Sequence, residues 1–248
     1  MSAQAGSVSD NASQEKFFSC VNLNAYYGDS YIVQNVSFDI QEGEIIALLG
    51  RNGAGKTSTL RTIARTANPH LKSGEIWLNG VSMHDKQAFE AAQAGIQLVP
   101  EDRRIIAGLT VEENLDLAQI SGQPGWSYEQ IYDLFPRLKE RRKQEGTTMS
   151  GGEQQMLAIA RALSRELKLL LLDEPYEGLA PVVRHDIEKA LLEVKKHGIT
   201  TVLVEQNAVA ALKLADSAVI LDTGEVVFRG SAEEVLNDEA LRHEYLAI

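Results

Sequence analysis

The chain has 248 residues, 44% of them hydrophobic, and a formal net charge of −11 at pH 7. That is enough apolar material for a sizeable core in one domain, or one domain with a lobe. The acidic balance lacks the basic footprint of a protein that grips a nucleic-acid backbone, so no nucleic-acid partner is expected. Cys20 is the only cysteine, which excludes an internal disulfide, and no apolar run approaches the ~18 residues of a membrane-spanning helix.

Residues 1–15 are rich in Ser, Ala, Gln and Asn. They lack the basic start and apolar centre of a signal peptide and are expected to form a disordered tail. From Phe17 to Ile40 two strand-like runs flank Tyr26-Tyr27-Gly28-Asp29, and Val36 to Ile40 alternates apolar and polar as a half-buried strand does. Ile45 to Leu49 reads as a buried parallel strand. A glycine-rich loop, Gly50 to Thr57, comes next, then a helix from Ser58 to Ala64. Gly74 to Gly80 reads as a short strand closed by an Asn-Gly turn. Ile96 to Val99 is another strand, stopped by Pro100.

Helical spacing then takes over, in Val111, Leu115 and Leu117 and again in Ile131, Leu134, Phe135 and Leu138, with one break at Gly122-Gln123-Pro124-Gly125. This predicts a mostly helical lobe, about residues 101–150, inserted into an α/β core. The basic run Arg137, Lys139, Arg141, Arg142 and Lys143 reads as a solvated helix face. The core resumes with a helix from about Gly152 to Ser164. Leu169–Leu172 and Thr201–Val204 are uninterrupted apolar runs that suit parallel strands covered on both faces. Ala218 to Phe228 reads as a closing hairpin, and a terminal helical segment begins near Ala232.

The loop Gly50-Arg51-Asn52-Gly53-Ala54-Gly55-Lys56-Thr57 fits the phosphate-binding pattern G-x-x-x-x-G-K-[ST] without a mismatch, in the strand–loop–helix context that confirms it. Its glycines leave backbone N–H groups free to wrap around phosphate oxygens, and the helix start adds partial positive charge. Lys56 is expected to reach the β- and γ-phosphates and Thr57 to bind Mg²⁺, with Ser58 extending the contact. Asp173-Glu174-Pro175 ends a buried strand, where α/β sheets place their ligand chemistry. One carboxylate can hold Mg²⁺ beside Thr57, and the other can polarise a water. Ser150-Gly151-Gly152-Glu153-Gln154-Gln155 offers a second anion site at a helix start. It also reads as an ordinary capping box of Ser150 with Glu153, and the two are compatible.

This set of motifs resembles the nucleotide-binding subunit of ABC transporters over about residues 16–248, and Ser150–Gln155 is the signature specific to that family. The resemblance implies an α/β fold: a P-loop NTPase (RecA-like) core of parallel strands, an N-terminal antiparallel β region and an inserted helical lobe. It implies two such domains paired head to tail, with each ATP between one chain's Arg51–Ser58 and the other chain's Ser150, Gly151, Gly152 and Gln154. Asp173 would support Mg²⁺ and Glu174 would be the general base. Tyr27 would stack on adenine, unless it is only a strand tyrosine.

Two positions depart from the common pattern. Glu101 stands where the family has a glutamine, bringing a further negative charge to the metal shared by Thr57 and Asp173. Gln206 stands where the family has a switch histidine, and it can donate only from a neutral amide. The same replacements, together with Val99–Arg104, Leu109–Leu115, Gly178–Pro181 and Val204–Ala208, resemble the LivF-type subunit of branched-chain amino-acid importers. That implies an ATP- and Mg²⁺-dependent ATPase, peripheral on the cytoplasmic face of the inner (plasma) membrane, powering uptake of branched-chain or related amino acids. The implied partners are a second ABC ATPase subunit (a sister chain), transmembrane permease subunits and, indirectly, a solute-binding protein. The loop after Glu101 would face the permease. Alternatives are the ATPase of a urea or short-amide importer, or a soluble ABC-type ATPase not linked to transport.

Overall fold

A computed structural model describes residues 16–120 and 123–246; the tail expected at 1–15, and Gly122, lie outside the described residues. The strands are β1 (Phe18–Tyr27), β2 (Ser30–Ile40), β3 (Ile45–Leu49), β4 (His70–Leu78), β5 (Val81–Ser82), β6 (Ile96–Val99), β7 (Leu169–Asp173), β8 (Thr200–Val204), β9 (Ser217–Asp222) and β10 (Glu225–Ser231). The helices are α1 (Lys56–Ile63), α2 (Ala88–Gln93), α3 (Val111–Gln119), α4 (Tyr128–Leu134), α5 (Pro136–Glu140), α6 (Gly151–Leu163), α7 (Pro181–Lys196), α8 (Ala208–Leu214), α9 (Ala232–Asn237) and α10 (Glu239–Tyr245).

The strands form two sheets. One is antiparallel, in the order β2-β1-β4-β5; the other has the order β10-β9-β3-β8-β7-β6. In the second sheet β6, β7, β8, β3 and β9 are parallel, and β10 closes it as an antiparallel hairpin with β9. The apolar runs of the sequence make this sheet buried on both faces. Along β3, Ile46 and Leu48 face the antiparallel sheet and α1, with Leu169 and Leu171 of β7 and Val202 and Val204 of β8. Ile45, Ala47 and Leu49 face the other way, with Leu170, Leu172 and Leu203, onto α6, α7 and α8.

The antiparallel sheet is buried on one face only, and its inward set changes parity midway. Phe18 and Cys20 point in, and then Leu23 and Ala25 do. The register shift between Cys20 and Leu23 accounts for this, with Asn22 at φ 51°; a second shift, between Leu23 and Ala25, places the extra residue on β2, where Asn35 takes φ 53°. An inserted residue flips every side chain beyond it, and Asn tolerates the left-handed backbone such a bulge needs.

The sequence reading of β4 begins at Gly74, but the strand begins at His70, because pairing with β1 extends through Tyr26. Between β6 and β7 the chain runs through α3, α4, α5 and α6. Capping boxes start α3 (Thr110 with Glu113), α4 (Ser127 with Gln130) and α6 (Ser150 with Glu153), which satisfies their first backbone N–H groups locally.

Candidate functional site

Parallel pairing brings the C-terminal ends of β3, β8 and β7 to one edge. Leu48 pairs with Val204, and Asp173 pairs with Val204 from the other side. The residues that follow these strands therefore converge: the glycine loop after β3, Glu174 after β7, and Glu205 and Gln206 after β8. The Glu174 N–H donates to the Val204 carbonyl at 2.9 Å, locking the first residue beyond β7 onto β8. Glu174 takes φ 51°, a left-handed conformation uncommon for a residue with a side chain.

A cavity of about 400 Å³ opens here, lined by Tyr27, Ile32, Asn52, Gly53, Gly55, Lys56, Thr57, Ser58 and Glu174. Helix α1 starts without a side-chain cap, from Gly55 at φ 97°, and has no acidic residue in its first turn. Its leading N–H groups therefore remain available to an anion. Lys56 is 6% exposed, and its Nζ donates to the carbonyls of Gly50 (2.8 Å) and Arg51 (3.1 Å). Burial lowers its pKa, and the carboxylates of Glu174 and Asp173 oppose that shift. Thr57 Oγ1 donates to Asp173 Oδ1 at 2.9 Å. Burial raises the Asp173 pKa, and the hydrogen bond from Thr57 opposes it. Gln206 Nε2 donates to Glu174 Oε2 at 2.7 Å.

Not every expected contact reaches the cavity. Arg51 is exposed and reaches the His243 carbonyl of α10 at 3.4 Å. The Ala54 side chain is 3% exposed within the core between the sheets, which leaves only its backbone for a ligand. Tyr27 lines the cavity, and its hydroxyl accepts a hydrogen bond from Arg61 Nη1 at 3.3 Å. Glu101 is exposed and lies beside the Glu177 carboxyl. Partial burial, then that neighbour, raises its pKa.

Ser150, Gly151, Gly152 and Gln154 do not line this cavity. They form the head of α6, where Ser150 Oγ donates to Glu153 Oε2 at 2.8 Å and the Ser150 N–H donates to the same oxygen at 3.0 Å. Gln154 Nε2 donates back to the Thr147 (3.1 Å) and Met149 (2.9 Å) carbonyls. A Cβ on Gly152 would lie 2.6 Å from Val183 Cγ1, so α7 packs against the bare backbone of α6.

Sequence reasoning missed Arg61, Ile32 and Glu205. Glu205 is 5% exposed, and its Oε1 accepts the Tyr176 N–H at 2.8 Å, tying the end of β8 to the loop after Glu174. Burial raises its pKa to about 7, opposed by that hydrogen bond and reinforced by Glu174. Its signal was present: like Asp173, it is a carboxylate that ends an apolar strand run.

The donor set fits Mg²⁺. Among the described residues no group of three or more His, Cys, Asp or Glu could hold a metal. A hydroxyl and one carboxylate, Thr57 and Asp173, suit a cation that keeps waters and shares phosphate oxygens. Lys56 is flanked by Asp173 and Glu174, so a polyphosphate entering the cavity needs added positive charge.

The sequence model of the ABC transporter family matches residues 33–177. The high-affinity branched-chain amino acid transport ATP-binding protein BraG of Pseudomonas aeruginosa is 41% identical over 227 residues, covering 90% of this chain and 97% of that protein. The probable branched-chain amino acid transport ATP-binding protein LivF of Archaeoglobus fulgidus is 38% identical over 223 residues, covering 88% and 94%. Among solved structures, a nucleotide-free ATP-binding cassette from an ABC transporter superposes with a TM-score of 0.79 at 23% identity, covering 94% of this chain and 99% of that one. That last likeness speaks for the fold alone. With the family model spanning more than half of the chain and relatives matched over nearly their full length, the chain belongs to the ABC transporter family.

Proposed function

We propose that this chain is the ATP-hydrolysing subunit of an importer for branched-chain or related amino acids. One observation carries the reading: a complete phosphate cradle converges with Asp173 and Glu174, while Ser150–Gln154 lie outside it, as in a site finished by a second chain. The likeness to BraG and LivF supplies the solute class.

ATP is the substrate. Lys56 exchanges the Gly50 and Arg51 carbonyls for phosphate oxygens, and the N–H groups of Asn52 to Ser58 cradle the chain of phosphates. The Tyr27 ring takes the base. Thr57 and Asp173 would hold Mg²⁺, with Glu101 at a distance through its charge, and the ion would supply positive charge to the phosphates. Glu174 takes a proton from water as the water oxygen bonds to the γ-phosphorus and the bond to the β-phosphate bridging oxygen breaks, leaving ADP and phosphate. Gln206, bound to one oxygen of Glu174, leaves the other to face the water. Ser150, Gly151, Gly152 and Gln154 of the second ATPase, a sister chain, close the site.

No helix among the described residues is long and apolar enough to cross a membrane. We infer from the likeness to transport ATP-binding proteins that attachment to the cytoplasmic face of the inner membrane runs through permease subunits. A groove of about 370 Å³ suits them: Ala88, Ala92, Ala158 and Ala162 line it beside Arg104 and Arg161. Among the described residues the Nε atoms of Arg161 and Arg165 are buried there without a partner. The arginines that line the groove suit carboxylates or carbonyls on the docked segment.

Co-purification from membranes followed by uptake assays over a panel of amino acids, urea and amides tests the reading. Permease subunits and leucine, isoleucine or valine uptake are expected. An ATPase that purifies with no membrane subunit, or an uptake system confined to urea and amides, overturns it.

A further inference from the structure

Arg103 stands in the loop that joins β6 to the helical region, and the resemblance turns that loop toward the permease. Arg103 lines the groove assigned above to the permease, and from there its guanidinium also reaches the head of α6. Nε donates to Gln155 Oε1 at 3.1 Å, and Nη2 approaches the Glu177 carbonyl at 3.5 Å. A Cβ added to Gly151 would lie 3.2 Å from Nη1, so the group lies against the backbone at the head of α6. Gln155 is 2% exposed and its Nε2 has no partner among the described residues, so the hydrogen bond from Arg103 is the one its side chain makes among them.

The loop is built to hold this pose. Arg103 and Arg104 both take left-handed backbone, at φ 58° and 47°. Two successive side-chain-bearing residues in that region cost energy and persist only where the surroundings enforce them. The enforcement is visible: the Arg103 N–H donates to the Pro100 carbonyl at 2.9 Å, and Arg161 Nη1 of α6 donates to the Arg104 carbonyl at 2.6 Å. The loop is thus fastened to α6 at two levels, near its head through Gln155 and farther along through Arg161.

We propose that Arg103 is a positioning residue that sets the head of α6 against the loops after β6 and β7, and so presents Ser150–Gly152 to the nucleotide held by the partner ATPase. The proposal rests on the paired-ATPase reading above for its effect on turnover, and on this chain alone for its effect on α6. Arg103 does not line the glycine-loop cavity, so its loss leaves the chain's own nucleotide binding in place.

The test has two arms. In the full-length chain, hydrogen exchange is compared between wild type and Arg103→Ala. Exchange at Gly151–Gln155 is expected to rise at least about tenfold, the population of an opened helix head rising with the loss of a charge-assisted bond, while Gly53–Ser58 stays unchanged. In the assembled transporter, Arg103→Ala is expected to lower kcat about tenfold or more with KM for ATP within about twofold. Gln155→Leu should give the same defect, and the double variant should be no worse than either single one, because both remove one contact. Arg103→Lys, which keeps the charge but lacks the planar fork, should fall between. Unchanged exchange at the head of α6, or additive losses in the double variant, overturns the proposal. If wild-type transporter hydrolyses no ATP while exchange at α6 still responds to Arg103→Ala, the functional reading fails and the positioning contact stands.

Discussion

Two helices in this molecule begin at glycines suited to anions, and they begin in opposite ways. Helix α1 starts at Gly55 with no side-chain cap and no acidic residue in its first turn. Helix α6 starts at Ser150 with a complete capping box, and its Glu153 is further paired to Arg141 at 2.6 Å. The first end keeps its N–H groups open beside a buried lysine, buried carboxyl groups and a left-handed Glu174. The second is satisfied within its own chain. One end gives up stability to stay ready for a ligand, and the other is stable without one; in the function proposed above it meets phosphate only when presented to a neighbour.

The largest effect expected from this contrast is on the open end. Glu174→Gln keeps the shape but cannot take a proton, so steady-state phosphate release should fall about 100- to 10,000-fold with MgATP binding retained. Turnover within a few-fold of wild type removes Glu174 as the base. Next comes Lys56→Ala, which removes a charge-assisted contact of about 1.5–3 kcal/mol. Calorimetric titration should show ATP affinity at least about tenfold weaker; near-normal affinity takes the glycine loop out of the site.

The two ends should also differ in the sign of their stability changes. Glu205, with its pKa raised to about 7 by burial, binds its proton more tightly in the folded chain than in the unfolded one. Between the ordinary carboxylate range and about pH 7 the native state holds the extra proton, so this group makes stability fall as pH rises through that window. Glu205→Gln still accepts the Tyr176 N–H and removes the slope. Thermal melts should show it more stable than wild type at pH 8, by at most about 3 kcal/mol, and little changed at pH 5. A variant equally affected at both pH values refutes the assignment. At the capped end, Ser150→Ala should destabilise by about 1 kcal/mol and leave ATP affinity of the single chain unchanged. If it weakens that affinity, the head of α6 contributes to the chain's own site and the contrast collapses.

Much of this was legible in the residues. The glycine spacing, the strand before it and the carboxylates after Leu172 identified the cradle, and the leucine and valine runs identified a sheet covered on both faces. Helix α7 was missed, although Pro181 at its first position and Ile187, Ala190, Leu191 and Val194 at helical spacing were in view. The early start of β4 at His70 carried no such signal, because apart from the half-buried Leu71 that part of the strand is polar or glycine, and it is held by β1.

What the sequence determined by itself is local: most of the strands and helices, which helix starts are capped, and which loop has the glycine spacing of a phosphate cradle. These depend on residues a few positions apart. What only the tertiary structure decided are the meetings between distant segments. The Gln206–Glu174 bond, the burial of Glu205 against Tyr176 and the reach of Arg103 to Gln155 join residues 32, 29 and 52 positions apart. Their partners follow from the order and register of parallel strands and from the packing of α6. No local pattern encodes these, because a strand's neighbour is chosen by the burial of whole faces rather than by any single residue.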